Sequence, residues 1–338
     1  MPTHRPIVFR CDADPAIGLG HLARSSRIAS SLRGPSRILL VGSPLGRGLD
    51  PWAAAFDEVR VVDPGAEQTF RVAEELRASA LIVDGYEVVD ECFRNLVDRG
   101  LSRVAIDDGP ARFVGADLLL EPNLGSVADG YEVAPRGRVR AGAPYALLAP
   151  EIALARARQR PLAARAERIL VTCGASDPAR MTERFVEALA GLAGRFEVRV
   201  LVGPLNPRQD ASIELSKRIG AEAVVGAASI EEHALWCDMA LSCLGGTASE
   251  LACLGVPNLA VAIHPKQVEH QNRYAELGLI VSLGWFEAAS APAIRRRVEE
   301  VSVDLDLRSR LREACTHIVD GLGAERVAGE IVRMTEGR

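Results

Sequence analysis

The side chains best suited to proton transfer and anion binding stand at the ends of short apolar runs. Residues 9–29 hold the densest group. An apolar run ends at Cys11, Asp12 and Asp14 follow, and Gly18-Leu19-Gly20-His21 opens an amphipathic stretch with Arg24 one turn on. Glycines at a strand-to-helix turn let the backbone approach a ligand, and a helix start presents open N–H groups and positive potential. At that position the dipole favours the neutral imidazole, so His21 is read as a base that takes a proton from a nucleophile. Two further rims carry acids: Val83-Asp84-Gly85-Tyr86 and Ile106-Asp107-Asp108-Gly109. Any of those carboxylates would hold His21 in one tautomer or orient a sugar hydroxyl, and each also suits a helix cap. Asp12 and Tyr86 join His21 as candidate catalytic residues, with Gly18, Gly20 and Arg24 as binding residues.

The second half carries chemistry of another kind. Cys173-Gly174-Ala175-Ser176-Asp177 ends one apolar run and leads into a helical pattern, a turn suited to phosphate, with Gly174, Ser176 and Asp177 as candidates. Gly245-Gly246-Thr247 with Glu250 one turn later has the composition to cradle a diphosphate and accept hydrogen bonds from ribose hydroxyls. The same four residues also fit a capping box, with Thr247 as the cap and Glu250 three residues on. A polar run, residues 263–273, contributes Lys266 and Gln267 as sugar or phosphate contacts.

Positioning these groups at one rim requires parallel sheets. Apolar runs at residues 7–11, 37–41, 59–62, 80–83, 103–106 and 117–120 alternate with helical patterns, and the rhythm restarts at 168–173, 197–202, 223–225, 239–242, 258–262 and 281–283. Strands alternating with helices form βαβ units, whose ligands sit outside the carboxyl ends of the strands. The Pro-, Gly- and Arg-rich middle places a boundary near residue 160. The expected domains are therefore 1–160, carrying His21, and 161–338, carrying the nucleotide turns and the C-terminal helices.

Composition narrows the function. The 338 residues are 48% hydrophobic and 25% charged, enough for two folded domains. Forty Lys and Arg against 45 Asp and Glu leave a net charge of −5, which disfavours nucleic acid as a partner. No run of about 18 apolar residues suggests membrane insertion, and no signal-peptide core opens the chain, so a cytoplasmic location is expected. The seven cysteines form no C-x-x-C pair, so neither a disulfide framework nor a metal site is expected. Gly18-Leu19-Gly20-His21-Leu22-Ala23 is not the dinucleotide fingerprint, and no G-x-S-x-G elbow occurs.

The chain resembles the UDP-2,4-diacetamido-2,4,6-trideoxy-β-L-altropyranose hydrolases of pseudaminic acid biosynthesis, together with spore-coat polysaccharide proteins related to them. The resemblance rests on Phe9-Arg10-x-Asp12, Ile17-Gly18-x-Gly20-His21-x-x-Arg24, Asp84-x-Tyr86, Asp107-Asp108 and Asp117-Leu118-Leu119-Leu120. It continues through Gly142-x-x-Tyr145-Ala146-Leu147-Leu148, Gly174-x-Ser176-Asp177 and Gly245-Gly246-Thr247-x-x-Glu250. It implies a GT-B-like α/β fold, two Rossmann-like domains with parallel sheets facing a central cleft, and no metal or other cofactor. It further implies inverting cleavage of a UDP-linked amino sugar, with water activated by His21. The pattern departs from the family at Ala175, where a second Gly is usual, and at Lys266, where Asn precedes Gln267. Glycosyl transfer from the same class of donor is the alternative activity, and a non-catalytic nucleotide-sugar-binding subunit is another.

Overall fold

A computed structural model describes residues 5–13, 19–42, 50–63, 65–85, 100–107, 115–129, 131, 133–227 and 229–336. The chain divides into two compact units, Met1–Leu148 with Leu322–Arg338, and Ala149–Gly321.

In the first unit, strands β1 (Ile7–Cys11), β2 (Arg37–Val41), β3 (Glu58–Val61), β4 (Ala80–Asp84), β5 (Ser102–Ile106), β6 (Leu118–Glu121) and β7 (Arg138–Ala141) form one sheet. Its order is β3-β2-β1-β4-β5-β6-β7, with every neighbouring pair parallel. β1 and β4 are apolar at nearly every position and buried throughout, as expected of central strands covered on both faces. Val8, Leu40, Leu81, Val83, Ala105 and Leu119 pack with Val72 and Ala73 of helix α3 (Ala66–Glu75) into one core. Helix α1 (Gly20–Ser31) follows β1, and α2 (Asp50–Ala53) is a single turn.

The second unit repeats the plan. Strands β8 (Arg168–Thr172), β9 (Glu197–Val202), β10 (Glu222–Val225), β11 (Met239–Cys243), β12 (Asn258–Ala262) and β13 (Val281–Trp285) are ordered β10-β9-β8-β11-β12-β13. All are parallel. Helices α4 (Pro150–Ala155), α5 (Met181–Ala190), α6 (Gln209–Arg218), α7 (Glu231–Trp236), α8 (Gly246–Cys253), α9 (Pro265–Glu276), α10 (Ala291–Val303) and α11 (Leu305–Ile318) accompany them.

Two features differ from the expected organisation. The units part at 148/149 rather than near 160, because α4 and the basic stretch after it belong to the second unit. Arg156 there donates to the Thr316 carbonyl at 2.7 Å, and Arg160 to the Leu235 carbonyl at 2.9 Å. The last helix, α12 (Gly323–Glu336), returns to the first unit instead of completing the second. It packs on α1, and its Glu330 accepts from Arg140 Nε on β7 at 2.5 Å. β7 itself was hidden from sequence reading. Arg138-Val139-Arg140-Ala141 has the charge of a loop, and as an edge strand it needs no continuous apolar run.

Both sheets reverse direction in the same way. In each, the first strand of the unit lies beside the fourth, and that junction is where an open parallel sheet leaves a crevice for ligands. The ends of β1 and β4 lie side by side at this junction in the first unit, and those of β8 and β11 in the second.

Candidate functional site

In the first unit the junction is filled by charged side chains. His21 is the second residue of α1, immediately after Gly20, and is buried despite its polarity. Asp84 ends β4 opposite Cys11 of β1, and its side chain is fully buried. Its Oδ1 lies 2.6 Å from His21 Nδ1. Arg24 Nη2 lies 3.0 Å from the same nitrogen; in the tautomer that donates from Nδ1 to the Asp84 carboxylate, Nε2 is the nitrogen left to accept a proton. Arg24, three residues along the same helix face, grips Asp84 with a fork: Nε to Oδ2 at 3.1 Å and Nη2 to Oδ1 at 2.7 Å. Of the carboxylates that sequence left open as partners of His21, Asp84 is in contact with it. Asp107 follows β5, one strand farther out, and Asp108 lies outside the described residues.

Asp12 takes a different place. Its Oδ1 accepts from Arg10 Nη1 at 2.7 Å and from the Gly42 N–H at 2.7 Å, tying the end of β1 to the end of β2. Burial opposes its ionisation, but hydrogen bonds from Arg10 and Gly42, with the Arg10 charge, outweigh that and hold the carboxyl below the ordinary range. Gly20 faces open space where a side chain would stand. Tyr86 and Gly18, both candidates from sequence, lie outside the described residues.

In the second unit the junction is lined by backbone. Gly174 (φ 76°) and Gly245 (φ 150°) adopt conformations that favour glycine, and nothing stands within 4 Å of where a methyl group on either would project. Helix α8 begins at Gly246 with Gly245 as its N-cap and no side-chain cap. The capping box that Thr247 and Glu250 would have formed is therefore absent. Thr247 falls in the first turn of α8 and Glu250 at its fifth residue, both partly exposed.

Several predicted ligand residues there also make hydrogen bonds within the loops. Asp177 (φ 45°) accepts from the Met181 N–H at 2.8 Å and the Thr182 N–H at 2.9 Å, one oxygen to each, at the start of α5. Burial pushes its carboxyl up even so. Gln267 completes a capping box on α9, whose N-cap is His264. Its Oε1 accepts from Ile263 and His264 N–H at 2.9 and 3.2 Å, and its Nε2 donates to the Leu244 carbonyl at 2.8 Å. Gln267 thus ties the turn after β12 to the turn after β11. Lys266 donates its backbone N–H to His264 Nδ1 at 3.3 Å, and Ser176 is half-buried in the loop after β8.

Two features were not anticipated from sequence. The ligand atoms of Cys173, Cys243 and Asp177 lie within 4.8 Å of one another, because β8 and β11 are neighbours in the sheet. Asp177 accepts from the start of α5 through both oxygens, burial holds the Cys173 thiol well above its ordinary value, and both cysteines pack in the core of the second unit. The second is Gly203, after β9. Its only sequence signal is the Gly-Pro pair closing an apolar run.

No protein-family model matches the chain, and no curated protein sequence matches it. Solved structures do. Acinetobacter baumannii MurG superposes with a TM-score of 0.68 at 15% identity, over 97% of this chain and 99% of that one. Staphylococcus aureus MnaA, solved with UDP, gives 0.65 at 16% identity, over 97% and 96%. The spinosyn rhamnosyltransferase SpnG, complexed with thymidine diphosphate, gives 0.64 at 16% identity, over 98% and 100%. The fold is that of the GT-B glycosyltransferases, with two parallel-sheet α/β domains. Among the described residues no helix is long and apolar enough to cross a membrane.

Proposed function

We propose that this protein is an enzyme that takes a nucleoside-diphosphate sugar and breaks its anomeric C–O bond, passing the sugar to an acceptor hydroxyl. The observation that carries the reading is the buried His21–Asp84 pair braced by Arg24 at the junction of β1 and β4. Asp84 accepts the Nδ1 proton and fixes the tautomer, so His21 Nε2 takes the proton of the attacking hydroxyl as it adds to the anomeric carbon. Arg24 locks the carboxylate. A base held in one orientation lowers the barrier by positioning as well as by proton transfer.

The nucleotide is assigned to the second unit. Open glycine backbone at Gly174 and Gly245, with the uncapped start of α8, suits a diphosphate, whose growing negative charge as it leaves is met by N–H donors. Thr247 adds a hydroxyl, and Glu250 accepts from the ribose. The nucleotide-bound neighbours, MnaA with UDP and SpnG with thymidine diphosphate, support this class of ligand.

A second reading is hydrolysis, with water in place of the acceptor and a UDP-linked acetamido-deoxy sugar as substrate. It is favoured by the run Phe9-Arg10-x-Asp12 with Gly18-x-Gly20-His21-x-x-Arg24. One assay separates the readings: release of nucleotide diphosphate from UDP-, CDP-, GDP- and dTDP-linked sugars, with and without a mixture of sugar acceptors, for wild type and His21→Ala. Release that needs both acceptor and His21 supports transfer. Acceptor-free release that needs His21 makes water the nucleophile. Nucleotide binding with no release would leave a binding subunit, and neither release nor binding would overturn the proposal.

A further inference from the structure

We infer that the segment after β9, residues 203–208, is a backstop that sets the backbone of the loop 174–180 for its ligand, with Gly203 as the residue on which the fit depends. The inference rests on the reading that this loop receives the nucleotide diphosphate.

Three independent contacts join the two segments. A methyl group added to Gly203 would sit closer than 3.0 Å to the carbonyl oxygens of both Gly174 and Ala175, so the two backbones meet where only hydrogen fits. Leu205 donates its N–H to the Ala175 carbonyl at 3.0 Å. Beyond the backbone, Glu183 of α5 is shared: Arg208 reaches it with Nε at 2.5 Å and Nη2 at 3.1 Å, and Arg180 from the end of the loop at 2.9 Å.

The loop needs such support. Besides Gly174, it holds Asp177 and Arg180 at φ 45° and 56°, two of the three described non-glycine residues with left-handed backbone. Such conformations persist only when the surroundings over-determine them. The backstop is itself braced. The Gly203 carbonyl accepts from the Asn206 N–H and from Gln209 Nε2, both at 3.1 Å, and Asn206 Oδ1 accepts from the Arg208 N–H at 2.8 Å. Gly203 and Arg208 are therefore positioning residues that act through the loop.

Gly203→Ala, Arg208→Ala and Arg208→Lys are compared with wild type in the full chain. Amide hydrogen exchange across residues 174–182 is followed without ligand, UDP affinity by calorimetry, and global stability by thermal melting. Faster exchange confined to the loop, with UDP binding weakened about tenfold or more in Gly203→Ala, is the expected result. Arg208→Ala, which removes a partly buried ion pair to Glu183 that Arg180 still shares, should speed loop exchange with at most a small drop in the melting transition, and Arg208→Lys should restore part of the protection. Loop exchange as slow as wild type in both Gly203→Ala and Arg208→Ala, or wild-type UDP affinity in Gly203→Ala, would overturn the inference. Absence of UDP binding in wild type would count against the nucleotide reading, whereas the exchange data judge the backstop on their own.

Discussion

At the end of β1 the first unit buries charged side chains against one another; at the end of β8 the second unit turns its polar side chains onto its own backbone. Asp84, His21 and Arg24 form a side-chain cluster in which each group fixes the next. Asp177 and Gln267 instead take up main-chain N–H groups and leave glycine backbone facing outward. On the proposed function, two sheets with the same strand order around their first strand serve two needs. Proton transfer requires a titratable group with a fixed tautomer, whereas a diphosphate is well held by oriented N–H donors. Substitutions in the first unit should therefore fall on rate, and those in the second on affinity or on the folding of loops.

The sharpest test removes the base. His21→Ala should cut turnover by about 10²–10⁴-fold while leaving nucleotide affinity unchanged in calorimetry. Asp84→Asn should approach the same loss, because an amide can donate to Nδ1 and turn the ring's proton to the wrong nitrogen. A parallel loss of nucleotide affinity in either would erase the division between the units.

Glu250→Ala addresses the other side. Losing the ribose hydrogen bonds should weaken nucleotide binding by roughly 1–3 kcal/mol, with kcat nearly intact at saturating donor. Unchanged affinity would remove Glu250 from the site. Gln267→Ala strips three hydrogen bonds from the turns after β11 and β12, so it should lower stability by about 1–3 kcal/mol in thermal melts and affinity only secondarily. An affinity loss without destabilisation would return Gln267 to direct contact with ligand.

The smallest effect concerns acid. Asp12 in the first unit and Glu183 in the second are both held below their ordinary values of 3.8 and 4.5. For carboxyls depressed in the folded state, the stabilisation is complete above those values and declines as pH falls through them toward the folded values. Acid unfolding should accordingly begin below about pH 4.5, and Asp12→Asn should flatten the pH dependence of melting there. A steeper dependence in the variant would contradict the role given to Arg10 and Gly42.

Much of this was legible in the chain. Each of the twelve expected strands overlaps an observed one, because these strands are short runs rich in apolar residues and several are closed by glycine or aspartate. His21 could be singled out because glycines flank a helix start. Its partner could not, since Asp84, Asp107 and Asp108 end similar runs and only the strand order, with β4 beside β1, chooses among them. For the same reason Cys173 and Cys243 looked unrelated, 70 positions apart, until β8 and β11 became neighbours. Local patterns do not show where a side chain also serves its own backbone. Asp177 and Gln267 have the chemistry of ligand contacts, and the structure shows that Asp177 also holds the start of α5 and that Gln267 completes the capping box at His264.

The return of α12 to the first unit bears on how the protein is made. Glu330 meets Arg140, Ser102 Oγ donates to the Met334 carbonyl at 3.3 Å, and Arg326 donates to the Pro144 carbonyl at 2.9 Å. During translation all of residues 149–321 emerge before those contacts can form. The second unit therefore has its whole sequence before the unit carrying His21 receives its closing helix.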